Sequence, residues 1–299
     1  MIQAPEFSSL EEIESSAWLR NTKLSFNKGI WPKECQRCKQ TESINGSSIR
    51  LNAIEFDQQQ TQRDYLTVGG VLDNVCNSAC QTCNENLSTK IGSLKSRNYI
   101  RVDNTERFWA LPLSRVVHLD INGGEPSASK NYRHILKNIP DNITSVRINT
   151  NCSVVMTEIE ELANRGVSVT VTVSLDGIGQ KHNYIRWPIV WENFEQNLMT
   201  YKNMKIDLNT WTTVSALNIG DLKNIFSYVK QHNLKNSWAL LEDPSVLSIK
   251  HSNYLTKIND VPDELISIVA QGNDNTVELQ SWTMAQDKLR GIQFKDYYK

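Results

Sequence analysis

Three of the chain's six cysteines, Cys76, Cys80 and Cys83, fall within eight positions in the stretch NVCNSACQTCNE, residues 74–85. Clustered thiols in a reducing compartment serve as metal ligands or catalytic groups rather than as disulfides. Structural zinc sites draw on paired Cys-x2-Cys or Cys and His elements, so zinc would take these three cysteines with one ligand from elsewhere. An iron-sulfur cluster fits better, because thiolates hold its irons and the four-cysteine set of an electron-transfer 4Fe-4S protein lacks its fourth member here. One iron would then have no protein ligand. An open coordination position is what a metal centre needs to bind a substrate, as the open position of catalytic zinc illustrates.

A second pair, Cys35 and Cys38, lies in GIWPKECQRCKQTESINGSSIRLN. Two thiolates can grip one metal but do not complete a four-cysteine site. Cys152 is either one more ligand or a core residue, since cysteine is among the most buried residue types. His118 and Asp120 alternate within one apolar run, which turns both toward the same interior, where His118 is a hydrogen-bonded buried histidine or a catalytic one. Trp187, Trp191 and Trp211 belong to the core or line a mouth. Glu158, Glu160 and Glu161 read as the solvated face of a helix. There is no Ser-His-Asp order, no P-loop and no G-x-G-x-x-G among these motifs.

The elements that must position these residues follow from hydrophobic period. Short apolar runs at 65–71, 116–121, 145–150, 167–175, 206–214 and 237–242 read as strands. Between them, MTEIEELANRG puts Ile159, Leu162 and Ala163 on one helical face, and GDLKNIFSYVKQHN does the same for Leu222, Ile225, Phe226 and Val229. Repeated strand and helix alternation implies an α/β fold with a parallel sheet, and six units would close part of a barrel, with chemistry gathered beyond the carboxyl ends of the strands. Residues 1–60 do not follow this rhythm and end in a polar stretch, DQQQTQRD, that reads as a linker. The last stretch, from about residue 246, carries helical signals such as VPDELISIVAQG.

Length and composition bound the rest. With 299 residues, 39% hydrophobic and 22% charged, the chain suffices for one large domain with an appendage or for two ordinary domains. A formal charge of -1 gives no electrostatic case for nucleic acid as the main partner. The opening MIQAPEFSSLEEIESS lacks the layout of a secretion signal, and no run is long and apolar enough to span a bilayer. A cytoplasmic protein without membrane association is expected.

Cys76-x3-Cys80-x2-Cys83 after a first strand resembles the signature loop of the radical S-adenosylmethionine enzymes, and three further segments are similar to that family in the right order. INGGEPSAS, with Gly123, Gly124, Glu125 and Pro126 after the second strand, resembles the family's GGEP turn, whose backbone receives the methionyl amine of the cofactor. INTNCSV, with Asn149 and Asn151 after the third, resembles its TNG-like ending, with Cys152 in place of the usual glycine. VSLDGIGQKHNYIRW is similar to the Ser-x-Asp-Gly segment after the fourth strand, and by that resemblance Ser174 and Arg186 would reach the cofactor's ribose or carboxylate. Thr82 stands where the family commonly has an aromatic residue beside the adenine. The stretch around Cys35 and Cys38 resembles the tail of a SPASM or twitch auxiliary-cluster module, with Glu, Gly, Ser and Arg following in similar order. That module has further cysteines upstream and none precedes Cys35 here, so a truncated module is expected, with an auxiliary cluster, another metal or none.

The resemblance implies a partial (β/α)6 barrel of the radical S-adenosylmethionine type over 61–245, a truncated module and linker over 1–60, and a helical C-terminal extension over 246–299. It implies a 4Fe-4S cluster on Cys76, Cys80 and Cys83 whose open iron is chelated by S-adenosylmethionine. One electron, supplied by a flavodoxin or ferredoxin type of partner, would cleave the cofactor to a 5′-deoxyadenosyl radical that abstracts hydrogen from a substrate. By analogy the substrate would be a peptide or protein side chain, with a small molecule or nucleoside as the alternative within the same class. A non-catalytic iron-sulfur or zinc scaffold is the reading from a different class.

Overall fold

Runs in which apolar residues alternate with small polar ones form the six strands expected of them: β1 Leu66–Val71, β2 Val116–Asn122, β3 Ser145–Thr150, β4 Ser168–Ser174, β5 Asp207–Val214 and β6 Lys235–Leu240. They make one sheet in sequence order, and every neighbouring pair is parallel. The computed structural model describes residues 9–46, 48–59, 64–95, 99–250, 261–272 and 276–298. The chain divides into two compact units, Met1–Tyr65 and Leu66–Lys299. The second is the expected α/β fold, a partial (β/α)6 barrel.

The side-chain period of two gives the sheet two unlike faces. One carries Leu119, Ile121, Val146, Ile148 and Val171, all buried in the main core. Helices Lys130–Asn138, Thr157–Asn164, Trp191–Lys202 and Leu222–Gln231 cover this face with Ile135, Ile159, Leu198 and Ile225, each fully buried. Burial of each such side chain stabilises the fold by roughly 1.5–3 kcal/mol. The opposite face carries His118, Asp120, Asn122, Arg147, Thr172, Ser174 and Trp211, which stay partly exposed. His118 is half-buried, and its Nδ1 meets Ser145 Oγ at 2.9 Å. Trp191 is buried and Trp187 half-buried, whereas Trp211 is 38% exposed.

Two expectations need correction. Glu158 is not solvated: it is 1% exposed, because Arg133 and Lys137 of the neighbouring helix reach it at 2.9 and 3.4 Å. Burial pushes its carboxyl up, but the Arg133 hydrogen bond and charge outweigh that and hold it below the usual range. Glu160 and Glu161 are exposed as expected. The polar stretch DQQQTQRD is not all linker either, since Asp57–Gln59 complete the helix Ile49–Gln59. Residues 60–63 lie outside the described residues.

The first unit is helical, with Leu10–Ser15, Ala17–Asn27, Gln36–Asn45 and Ile49–Gln59. Ser9 and Ser16 cap the first two helices by accepting from the N–H groups of Glu12 and Leu19. C-terminal helices Asp263–Ala270 and Thr276–Arg290 follow the sheet, and residues 251–260 lie outside the described residues. No helix among the described residues is long and apolar enough to cross a membrane.

His182, in the short helix Gln180–Ile185, is fully buried with its ring 4.2 Å from Phe194 and 5.4 Å from Trp191. Among the described residues neither ring nitrogen has a partner in hydrogen-bonding geometry. Burial first and the Arg186 charge second push its pKa down from 6.5 to about 3, while the Gly177 backbone pulls the other way. Between those two values the unfolded chain takes up a proton that the folded chain refuses, so stability falls as pH drops below about 6.5, by about 1.4 kcal/mol per pH unit. His182→Phe, which keeps a flat apolar ring, is expected to flatten that acid slope. Urea midpoints of both proteins at pH 7 and pH 5 check this, and equal losses on acidification would contradict it.

Candidate active site

β1 ends at Val71, and the chain runs through Leu72, Asp73 and Asn74 into the cysteine loop. Asn74 is fully buried and holds the loop's base: its Nδ2 donates to the carbonyls of Asn86 and Ile100, and its Oδ1 accepts from Val102 N at 3.1 Å. Beside it, Gly124 N donates to Asp73 O at 3.0 Å and Glu125 N to Val75 O at 2.7 Å. The turn after β2 therefore lies directly on the backbone that leads into the loop. Only glycine fits there, since a Cβ on Gly124 would stand 2.3 Å from Val75 O and one on Gly123 would stand 2.7 Å from Asp73 O. The N–H groups of Gly124 and Glu125 are thus spent on the backbone that leads into the loop.

On its other side the loop pairs with the segment after β4: Ala79 N donates to Trp187 O and Gln81 N to Ile185 O, both at 2.8 Å. Thr89 Oγ1 accepts from Cys76 N at 3.1 Å, and the Cys76 sulfur accepts from Ser78 N at 3.4 Å. Cys76, Cys80 and Cys83 all line one cleft of about 300 Å³, together with Gly123, Gly124, Glu125, Asn151, Ser174 and Arg186. Asn122, Asn149, Thr150 and Thr82 complete its wall. Pro126 instead begins the buried turn Pro126–Ala128 behind the cleft. Burial pushes all three thiols up, Cys76 to about 12 and Cys83 to about 11. Among the described residues no three His, Cys, Asp or Glu side chains converge on a point that a single ion could occupy.

Several residues expected at the cofactor are also bonded within the protein. Glu125 is 2% exposed, and its carboxylate accepts from Ser127 N, Ser127 Oγ and Thr150 Oγ1 on one oxygen and from Asn151 N at 2.6 Å on the other. Burial raises its pKa, opposed by the Asn151, Thr150 and Ser127 donors. Asn151 Nδ2 donates to Asn77 Oδ1 and Ser78 Oγ, both at 2.9 Å, which ties the end of β3 to the cysteine loop. Arg186 is bonded by Nε and Nη2 to Asp176 at 2.7 and 2.6 Å, and its Nη1 donates to the Cys80 sulfur at 3.7 Å. Burial would weaken that charge, but Asp176 and Cys80 hold the guanidinium protonated. Ser174, at the end of β4, faces the cleft.

Cys152 is fully buried at a φ of 59°, the left-handed region where glycine is favoured, and its sulfur points to Phe194 O at 3.8 Å. It fills core at a glycine-like bend. Cys35 and Cys38 belong to the first unit, at the start of helix Gln36–Asn45. There Arg50 binds Glu42 with Nε at 2.9 Å and Nη2 at 2.6 Å, and it stacks 4.8 Å over Trp31. The pairing of Asp176 with Arg186, ten residues on, carries no signal in the local sequence. Sequence reading also missed Arg290, for which no local motif gives a signal.

No family model matches the chain, and no curated protein matches it. Among solved structures, native anSMEcpe with bound AdoMet is 17% identical over 75% of this chain and 62% of that one, with a TM-score of 0.49. Streptococcus suis SuiB bound to S-adenosylmethionine is 13% identical over 93% of this chain and 60% of that one, with a TM-score of 0.45. SuiB bound to the precursor peptide SuiA is 14% identical over 92% and 60%, again with a TM-score of 0.45. The chain thus spans about three fifths of the length of these structures.

The Glu125 carboxylate receives four donors, so Glu125→Gln must set an amide N–H against at least one of them. The expected loss is about 1–3 kcal/mol in urea unfolding of the metal-free chain. An unchanged midpoint would remove Glu125 as a strut.

Proposed function

We propose that this chain is a radical S-adenosylmethionine enzyme, with a 4Fe-4S cluster on Cys76, Cys80 and Cys83. One observation carries the reading: residues that follow four successive parallel strands line a single cleft with the three thiols. A structural zinc site would have no use for that arrangement, and it would gather its ligands around one ion. Thiols spread along a cleft suit a cuboidal cluster, each on a different iron. When bound, the cluster and S-adenosylmethionine supply one-electron cleavage of a carbon-sulfur bond and a radical able to take hydrogen from substrate.

The chain's own residues have distinct tasks in this reading. The Gly123–Gly124 turn offers carbonyls to the cofactor's amine, and Ser174 offers a hydroxyl. Glu125 and Asn151 keep the turn, the end of β3 and the cysteine loop in fixed relation. Arg186, charged and bonded to Asp176, lends a donor to the Cys80 thiolate. Thr82, in place of an aromatic residue, leaves the adenine to pack on other walls. Reduction calls for an external donor of flavodoxin or ferredoxin type, since the potential required is at the low end of the iron-sulfur range.

For the substrate, the uncovered face of the sheet supports a polar chain such as a peptide. It carries the Asp120–Arg147 pair at 3.5 Å and the Asp207–Lys235 pair at 2.7 Å, with Thr170, Thr172 and Asn209 between them. A nucleoside is the second reading, favoured by Trp211, exposed and paired in register with Ser174. The N-terminal Cys35 and Cys38 would hold an auxiliary metal with ligands added from outside the pair.

Protein purified without oxygen is expected to be brown and to contain iron and sulfide, and Cys80→Ser is expected to lose most of both. With dithionite, S-adenosylmethionine should yield 5′-deoxyadenosine. Colourless protein with stoichiometric zinc would overturn the reading, and coloured protein that binds the cofactor without cleaving it would remove the activity.

A further inference from the structure

Arg290, the last residue of helix Thr276–Arg290, lies more than two hundred positions from the cysteine loop, yet its Nε donates to Ala79 O at 2.7 Å and its Nη2 to Cys80 O at 3.1 Å. Its Nη1 closes back on Gln286 O and Oε1 at 3.2 and 2.6 Å. Only 6% of the residue is exposed. Its helix is anchored independently of the loop. Asp287 accepts from Tyr184 OH at 2.9 Å and from Phe294 N at 2.6 Å, and Tyr298 OH donates to Leu217 O at 2.6 Å. Leu279 joins Tyr184, Ile185, Leu217 and Leu247 in a second core cluster beyond the ends of β4, β5 and β6.

The two arginines near Cys80 differ in what balances them. Arg186 has Asp176 at 2.6 Å, so its charge is largely neutralised in place. Among the described residues, Arg290 has no carboxylate within salt-bridge distance, and its fork is satisfied by carbonyls and an amide oxygen. A buried guanidinium without a bonded anion is costly unless negative charge arrives nearby. A cluster held by three thiolates brings that charge, and brings more of it when reduced.

We propose that Arg290 is a positioning residue of the metal centre: it clamps the cysteine loop by the Ala79 and Cys80 carbonyls and supplies the unpaired buried positive charge that favours the cluster's reduced state. The inference rests on the iron-sulfur reading above, for the charge but not for the clamp. Nearby buried cations stabilise the added electron, and they are among the means by which a protein sets iron-sulfur potentials.

The test uses the full chain with Arg290→Met, Arg290→Lys and Arg290→Gln. Hydrogen exchange on the metal-free proteins reads the clamp: amides of 79–83 should exchange at least tenfold faster in the methionine variant than in the wild type. Reductive titration followed by electron paramagnetic resonance reads the charge. The methionine variant should lose at least tenfold in its reduction equilibrium, about 59 mV more negative for a one-electron couple. Lysine keeps the charge and should recover most of that potential, whereas glutamine, neutral and too short to reach both carbonyls, should keep both the low potential and the fast exchange. Should the methionine variant fail to fold, the glutamine and lysine variants decide. Wild-type exchange in the methionine or glutamine variant refutes the clamp, and a wild-type potential in either refutes the charge. Wild-type chain without iron would sink the charge together with the iron-sulfur reading, and the exchange data would still judge the clamp.

Discussion

The site depends on how closely two stretches of backbone approach each other. β1 and β2 are parallel neighbours in register up to Val71 and Asn122, and their contact continues past the strands, where Gly123 and Gly124 lie on Asp73 and Val75. No side chain can be inserted between them. The cysteine loop is therefore launched from a fixed point, and the turn that faces it cannot drift. From there a ring of struts closes: Glu125 joins the turn to Thr150 and Asn151, and Asn151 returns to Asn77 and Ser78 of the loop. Each neutral hydrogen bond contributes only about 1 kcal/mol net and each one to a charged carboxylate about 1.5–3 kcal/mol, but leaving a buried partner unmade costs the full desolvation of that group, so the ring is lost or kept together.

That ring explains why residues with polar side chains at the cleft need not touch a ligand. A group that must be held within a fraction of an ångström needs neighbours whose own rotamers are locked. Glu125 and Asn151 do this by using their hydrogen-bonding capacity on the protein. Asp176 does it for Arg186, accepting from two of its nitrogens and also, through Oδ1, from Thr213 N at 2.8 Å. The loop is thus tied to the ends of β2, β3 and β4 by different chemistry in each case: backbone contact, amide side chain and guanidinium.

Local pattern carried the architecture. The six apolar runs all overlap strands, five of them to within a residue at either end, while β6 begins at Lys235, two residues before the expected start, because at the sheet edge its side chains stay largely exposed and leave a weaker period. The cysteine spacing and the Gly-Gly pair were equally legible, since each meets a constraint within a few residues of itself. What could not be read is whatever depends on a partner distant in sequence. Glu158 looks solvated until the helix Lys130–Asn138 brings Arg133 beside it. The bonds of Arg186 to Asp176 and to the Cys80 sulfur give no signal in the sequence around it. Cys152 raised the question of a ligand, and its left-handed φ among core residues answers it. Arg290 has no motif at all.

The two faces of the sheet make opposite demands on the same strands. On the helix side, Leu119 and Ile121 exclude water and fix strand spacing. On the other side, His118, Asp120 and Asn122 alternate with them and remain partly solvated, each with a polar neighbour on its own strand or the next. A barrel interior needed only for stability would be filled with branched apolar side chains in layers. Here the corresponding positions hold Ser145, Arg147, Asn149, Thr170, Thr172, Asn209 and Thr213, several of them small. Leaving these positions polar forgoes apolar burial along the strands that lead up to the cleft, so this face contributes less to stability than the helix side does.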